Sequence, residues 1–212
     1  MSEQFDQEFW DSLYEERPTL WSGDPNHRLV VEVEGLSPGM ALDVGAGEGA
    51  DAIWLATRGW RVTAVDISAV ALARAASHAT RVGAEVAERI DWLHRDLTDW
   101  EPPEGFFDLV SAHFFHLSPG PRRVLFERLV SAVNAGGTLL VVGHHRVEGS
   151  MMPDEYFFTS DEIVGQLDPE QWDVNINAEI ERPPTNAGAG SAHTHDIVLR
   201  ATRRRYRSLN AP

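Results

Sequence analysis

Apolar residues recur in two rhythms along the chain. Near the N-terminus Phe5, Phe9 and Leu13 fall four apart, as do Trp10 and Tyr14; that spacing predicts an amphipathic helix of about three turns. Pro18, Gly23 and Pro25 break it into a loop that carries Trp21. A second helical pattern begins at Pro25, with proline in its first turn and Leu29, Val30, Val33 and Leu36 apolar. From Gly39 onward, short β-rich runs alternate with helix patterns. Strands are expected at 40–44, 60–66, 89–94, 107–112 and 138–143. Helices are expected at 50–58 closed by Gly59, from a Ser68 cap to Gly83, and at 121–135 closed by Gly136 and Gly137. After Asp161 come a short helix and two further strands, 172–182 and 195–203, joined by the glycine-rich run 186–191 as a hairpin loop.

Strands that alternate with crossover helices imply parallel βαβ units, hence an open sheet with helices on both faces. The last two strands have no long helix between them, so at least one runs antiparallel. There is no internal repeat and no linker. The expected organisation is a helical lid segment, 1–38, followed by one α/β domain, 39–212.

Composition narrows the chemistry. Of 212 residues 42% are hydrophobic, enough for a full core, and 33 acidic against 18 basic residues give a formal net charge of −15. Such a surface repels phosphate backbones and anionic lipid, so neither nucleic acid nor membrane is an expected partner. The acidic start Ser2-Glu3-Gln4-Phe5-Asp6 lacks the basic and apolar regions of a signal peptide, and a cytoplasmic location is expected. Cysteine is absent, which excludes disulfides, thiolate nucleophiles and Cys-based metal sites. Lysine is absent too, which excludes Schiff-base chemistry and a P-loop lysine.

The informative segment is Asp43-Val44-Gly45-Ala46-Gly47-Glu48-Gly49, a strand running into a glycine turn and then a helix. Asp66 ends the next strand, at about the 20-residue distance where a nucleotide-binding α/β fold keeps the carboxylate for ribose hydroxyls. A dinucleotide would lay its pyrophosphate on the helix N-terminus. Here Asp43, Glu48 and Asp51 surround that point, and two like charges 4 Å apart repel by about 4 kcal/mol at an effective dielectric near 20. A phosphate-free ligand bearing an ammonium and a sulfonium suits the same acids, and S-adenosylmethionine is such a ligand. Helix capping by Asp43 and Glu48 is the other reading of those two residues.

These residues resemble the class I S-adenosylmethionine-dependent methyltransferases over most of the chain. The resemblance rests on residues 43–49 as the glycine motif, Asp66-Ile67 after the second strand, Arg95-Asp96-Leu97 after the third, Phe107-Asp108-Leu109-Val110 in the fourth, and 136–140 entering the fifth. The Leu20-Trp21-Ser22-Gly23 and Ala112-His113-Phe114-Phe115-His116 runs look like small-molecule members, the thiopurine and tellurite-resistance type. No Asn-Pro-Pro-Tyr/Phe follows the fourth strand, which argues against amino-group methylation of nucleic acids or protein amides. The resemblance implies a Rossmann-like sheet of seven strands in the order 3-2-1-4-5-7-6, with strand 7 antiparallel. It implies cofactor contacts from Trp21, Asp43, Gly45, Ala46, Gly47, Asp66, Ile67, Asp96, Leu97, Ala112 and His113.

Methyl transfer from a sulfonium is an in-line displacement, accelerated largely by alignment. A base is needed only where the acceptor carries a proton; sulfur, selenium or tellurium anions need none. Acceptor-side groups belong at the carboxyl ends of the central strands. There, His116 and His144 are the candidates for base or substrate contact, Arg146 for an acidic substrate, and Met151 and Tyr156 for an apolar pocket wall. His144, His145, His193 and His195 do not make a recognisable metal motif, and no metal is expected. The expected activity is methyl transfer to a small-molecule acceptor, by a monomer or homodimer. Two other readings stand beside it: a non-catalytic nucleoside-binding regulator, and a nicotinamide oxidoreductase, which Asp43 and the Gly-x-Gly-x-Gly spacing disfavour.

Overall fold

The computed structural model describes residues 5–146, 153–182 and 194–205. Its centre is a seven-stranded sheet: β1 (Met40–Val44), β2 (Arg61–Asp66), β3 (Ile90–His94), β4 (Phe107–His113), β5 (Val133–His144), β6 (Trp172–Glu181) and β7 (His195–Arg203). The order is β3-β2-β1-β4-β5-β7-β6, parallel up to β5, with β7 antiparallel to both of its neighbours. Among the described residues the helices are α1 (Gln7–Glu16), α2 (His27–Val33), α3 (Ala50–Thr57), α4 (Ala69–Val82), α5 (Ala84–Ala87), α6 (Pro119–Ala132) and α7 (Ser160–Val164), with a 3₁₀ turn at Asp154–Tyr156.

Alternation along the strands builds two cores. Leu42, Val44, Val110 and Ala112 face α6 and α7, where Leu125, Phe126, Leu129 and Ile163 cover them. Ala41, Leu109, Leu140 and Val142 face α2 and α3, meeting Leu29, Val33, Leu55 and Trp60. Each fully buried Leu or Phe contributes about 1.5–3 kcal/mol relative to exposure. The same period of two puts Asp43, Ser111, His113 and His144 on the α2/α3 face, where the strands end.

Some expected boundaries are corrected. Pro25 lies outside α2, because Asn26 takes the N-cap and accepts from Arg28 N at 2.8 Å. Ser68 caps α4 as expected, accepting from Ala71 N at 3.1 Å. The helix expected at 121–135 instead spans Pro119–Ala132, and Gly136-Gly137 lies inside β5. A register shift opposite Phe107 and Leu109 accommodates the longer strand; a Cβ on Gly137 would lie 2.9 Å from the Phe107 carbonyl oxygen, so glycine lets the two strands close. The short α5 had no sequence signal. The expected hairpin loop at 186–191 lies outside the described residues.

Candidate active site

β1 and β4 are adjacent but leave the sheet in opposite directions, β1 toward β2 and β4 toward β5, so a crevice opens at their carboxyl ends. The turn after β1 lines it. Gly45, Gly47 and Gly49 have φ of 73°, 53° and 86°, left-handed values that glycine adopts without a Cβ penalty. Asp66 braces the turn from β2: its carboxylate accepts from Gly47 N at 2.7 Å and from Ser68 N at 2.8 Å. Burial raises the Asp66 pKa against those bonds.

Asp43 sits beneath the turn with 3% of its surface exposed, and its Oδ2 has no hydrogen-bond partner among the described residues. Burial first, then the charges of Asp51 and Asp66, push its pKa well above the usual carboxylate range, while bonds from Ala52 N–H and Ser111 pull the other way. A buried acceptor in this state is stabilised by a cation.

The other two acids of the motif have partners. Glu48 accepts from Leu20 N and Trp21 N, both at 3.2 Å, and pairs with Arg74 at 3.1 Å. Arg74 also donates to the carbonyls of Tyr14 and Arg17. Asp51 accepts from Asn26 N at 2.6 Å and from His113 Nδ1 at 2.7 Å. The acidic rim that the sequence suggested is therefore corrected: Glu48 and Asp51 tie the N-terminal segment and β4 to the turn, and of the three acids Asp43 alone keeps a buried oxygen without a hydrogen-bond partner among the described residues. Glu48 is not a helix cap, since Gly49 takes the N-cap position of α3 and no side chain caps it.

That N-terminal segment covers the turn. Trp21 is 50% exposed, and its Nε1 donates to the Tyr14 hydroxyl at 3.0 Å; a Cβ on Gly47 would meet that hydroxyl at 3.0 Å. Asp11 accepts from the Ser68 hydroxyl at 2.5 Å, which fixes α1 on the start of α4. Sequence reasoning placed Tyr14 and Trp10 near a lid but missed Tyr14 as the residue touching the turn. Beyond β3, Asp96 Oδ1 accepts from Thr98 N and Oγ1, both at 2.8 Å, Leu97 packs on the core, and His94 Nε2 donates to the Ile67 carbonyl at 2.8 Å.

At the ends of β4 and β5 the rings gather. His116 lies 5.2 Å from Phe5, 6.0 Å from Trp10 and 5.8 Å from His144, and Phe5 meets Tyr156 edge-on at 4.9 Å. His144 stacks on Phe114 at 4.4 Å, and its Nδ1 accepts from Arg182 at 3.4 Å. Phe114 has φ of 52°, a strained value for a bulky residue, held where β4 ends. Arg146, expected to hold an acidic substrate, instead gives both arms of its guanidinium to Asp154, at 2.8 and 2.6 Å. Met151 lies outside the described residues. Among those residues no cluster of three metal-ligating groups exists, and no helix is long and apolar enough to cross a membrane.

Residues 41–137 match the family described as a methyltransferase domain. Over that stretch, which is under half of its length, the chain is similar to methyltransferase domains. The chain is similar to an uncharacterized methyltransferase of Mycobacterium bovis, 41% identical over 103 residues, 48% of each chain. It is also similar to the Arabidopsis thaliana protein named probable thiol methyltransferase 2, 30% identical over 138 residues, 63% of this chain and 60% of the relative. The matches span about half to three-fifths of the length of these curated relatives. A solved structure from work on the conversion of a disulfide bond into a thioacetal group during echinomycin biosynthesis superposes with a TM-score of 0.70. It is 22% identical, the match covers 95% of this chain and 93% of that one, and the likeness is one of fold.

The residues at this crevice fit S-adenosylmethionine, the cofactor that the sequence resemblance implies. Asp43 offers an unpartnered buried carboxylate oxygen to a cation, and the glycine turn leaves backbone open to close approach.

Proposed function

We propose that this chain transfers a methyl group from S-adenosylmethionine to a small-molecule acceptor with a sulfur, selenium, tellurium, oxygen or nitrogen nucleophile, by in-line displacement. The observation that carries this reading is Asp43, a buried carboxylate short of one cation directly beneath the glycine turn. When bound, the cofactor supplies a methyl group already activated on a sulfonium. Gly45, Ala46 and Gly47 give it backbone, Asp66 and Ile67 hold the ribose side, Asp96 and Leu97 the adenine side, and Ala112 and His113 flank the methionine end through their backbone. Trp21 and the N-terminal segment from Phe5 onward cover it and exclude water. His116, His144 and Tyr156, with Phe5 and Trp10, form the acceptor end, where polarisable rings suit a soft nucleophile; the relative named for thiol acceptors supports the same class.

Calorimetry with S-adenosylmethionine and NAD, followed by methyl-transfer assays on thiol, selenite, tellurite and phenol acceptors, tests the proposal. Preference for the dinucleotide overturns it, and tight cofactor binding with no transfer leaves a non-catalytic regulator. Asp66→Ala is expected to weaken cofactor binding by about 1–3 kcal/mol, the range for a lost charge-assisted bond; an unchanged calorimetric Kd argues against the ribose role.

A further inference from the structure

We propose that the His113 imidazole is the catalytic base for acceptors that carry a proton, and that Asp51 is its positioning residue. This rests on the methyl-transfer reading above and adds an acid–base role to it. The pair joins two elements: Asp51 lies in the first turn of α3 and His113 ends β4, with Nδ1 2.7 Å from Oδ2. The His113 side chain is 6% exposed, and its Nε2 is buried with no hydrogen-bond partner among the described residues. Such an atom is costly unless something donates to it.

The carboxylate decides which nitrogen can accept. A hydrogen bond from Nδ1–H to Asp51 leaves the lone pair on Nε2, and an imidazolium formed there would be stabilised by the same carboxylate. Asp51 is itself pinned by Asn26 N at 2.6 Å, so the pair is anchored to the start of α2.

Position supports the role. The β1–β4 register sets Val44 opposite Ala112, which brings His113 level with Gly45 at the crevice between the two strands. Phe114, the next residue, is held at a left-handed φ of 52°. Local strain of this kind marks a segment whose geometry is overdetermined by its surroundings.

The neighbouring groups are less suited. His144 has its Nδ1 occupied by the Arg182 guanidinium at 3.4 Å and its ring stacked on Phe114. His116 is packed among the rings of Phe5, Trp10 and His144. Asp43 supplies the anionic partner for the cofactor's cation, which leaves His113 Nε2 for the acceptor.

The step balances without a further reactant. The acceptor atom bonds to the methyl carbon while its proton passes to Nε2. The carbon–sulfur bond breaks with its electron pair on sulfur, and the imidazolium returns the proton to water. An anion such as thiocyanate has no proton to give and makes no use of the base.

Two measurements test the pair. In the cofactor-free protein, ¹⁵N-histidine NMR is expected to show His113 as the Nδ1–H tautomer, and Asp51→Asn is expected to abolish that state. A His113 found as the Nε2–H tautomer overturns the proposal. In turnover, 2-mercaptoethanol and phenol serve as proton-bearing acceptors and thiocyanate as the proton-free one. His113→Asn is expected to lower the ratio of protic to thiocyanate kcat by about a hundredfold or more, and Asp51→Asn to lower it in the same sense. An equal loss on all three acceptors overturns the base role alone. A wild-type protein that binds cofactor and methylates none of them overturns the methyl-transfer reading, and this role with it.

Discussion

Replacing Asp43 with asparagine is expected to stabilise the free protein near neutral pH while removing most of its affinity for S-adenosylmethionine. Burial among Asp51 and Asp66 holds the folded-state pKa of Asp43 above its unfolded value. The folded chain therefore binds that proton more tightly than the unfolded chain does. As pH rises from the ordinary carboxylate range through the raised folded value, this contribution to stability is lost, and above that value the penalty stays constant. Asparagine keeps an acceptor for Ala52 N–H and has no proton to lose, so thermal melts of the variant should lack this part of the pH dependence. Binding moves the other way. A hydrogen bond to a charged group is worth about 1.5–3 kcal/mol, so losing the carboxylate weakens the cofactor by roughly ten- to a hundredfold. Cofactor affinity in the wild type should also rise with pH as Asp43 ionises. Melting curves and calorimetry from pH 5 to 8 check both signs; a variant that binds as tightly as wild type shows that the buried carboxylate does not meet the cation.

Glu48→Ala is expected to release the cover while leaving the sheet folded. One carboxylate holds Leu20 N, Trp21 N and Arg74, and Arg74 in turn holds the carbonyls of Tyr14 and Arg17. Truncation removes the acceptor for two amides and leaves an arginine without its countercharge. The protection of α1 and the Leu20–Trp21 loop against hydrogen exchange should fall by about 1.5–3 kcal/mol, with the amides of β1, β4 and β5 nearly unchanged. Cofactor affinity should fall as well, because Tyr14 and Trp21 then no longer sit against Gly47. Uniform loss of protection through the sheet would mean that the segment is part of the cooperative core and not a cover.

The difference between these two acids shows how far the sequence could be read. Asp43, Glu48 and Asp51 look alike as carboxylates around one glycine turn. In the folded chain, one is buried without a countercharge, one anchors a loop from residues 20–21, and one orients a histidine on another strand. The glycine positions, Asp66 at the end of β2 and the Ser68 cap were all legible, because each depends on neighbours within a few residues or on strand periodicity. Glu48 to Trp21 and Asp51 to His113 were not, since those partners lie 27 and 62 residues apart in the chain. Arg146 illustrates the same gap: its charge suggested an anionic substrate, yet Asp154 reaches it across the end of β5.

Alternation of strand and helix patterns, with the glycine turn between the first pair, was sufficient to determine a mostly parallel α/β sheet and the end of it at which a crevice opens. Those are consequences of backbone geometry and of periodic burial, which the order of residues carries directly. Which carboxylate keeps an unpartnered oxygen, which histidine meets a carboxylate and what covers the turn were decided only by the tertiary structure. Charge and hydrogen-bond state depend on what packing brings within about 3 Å, and that proximity is a property of the folded chain.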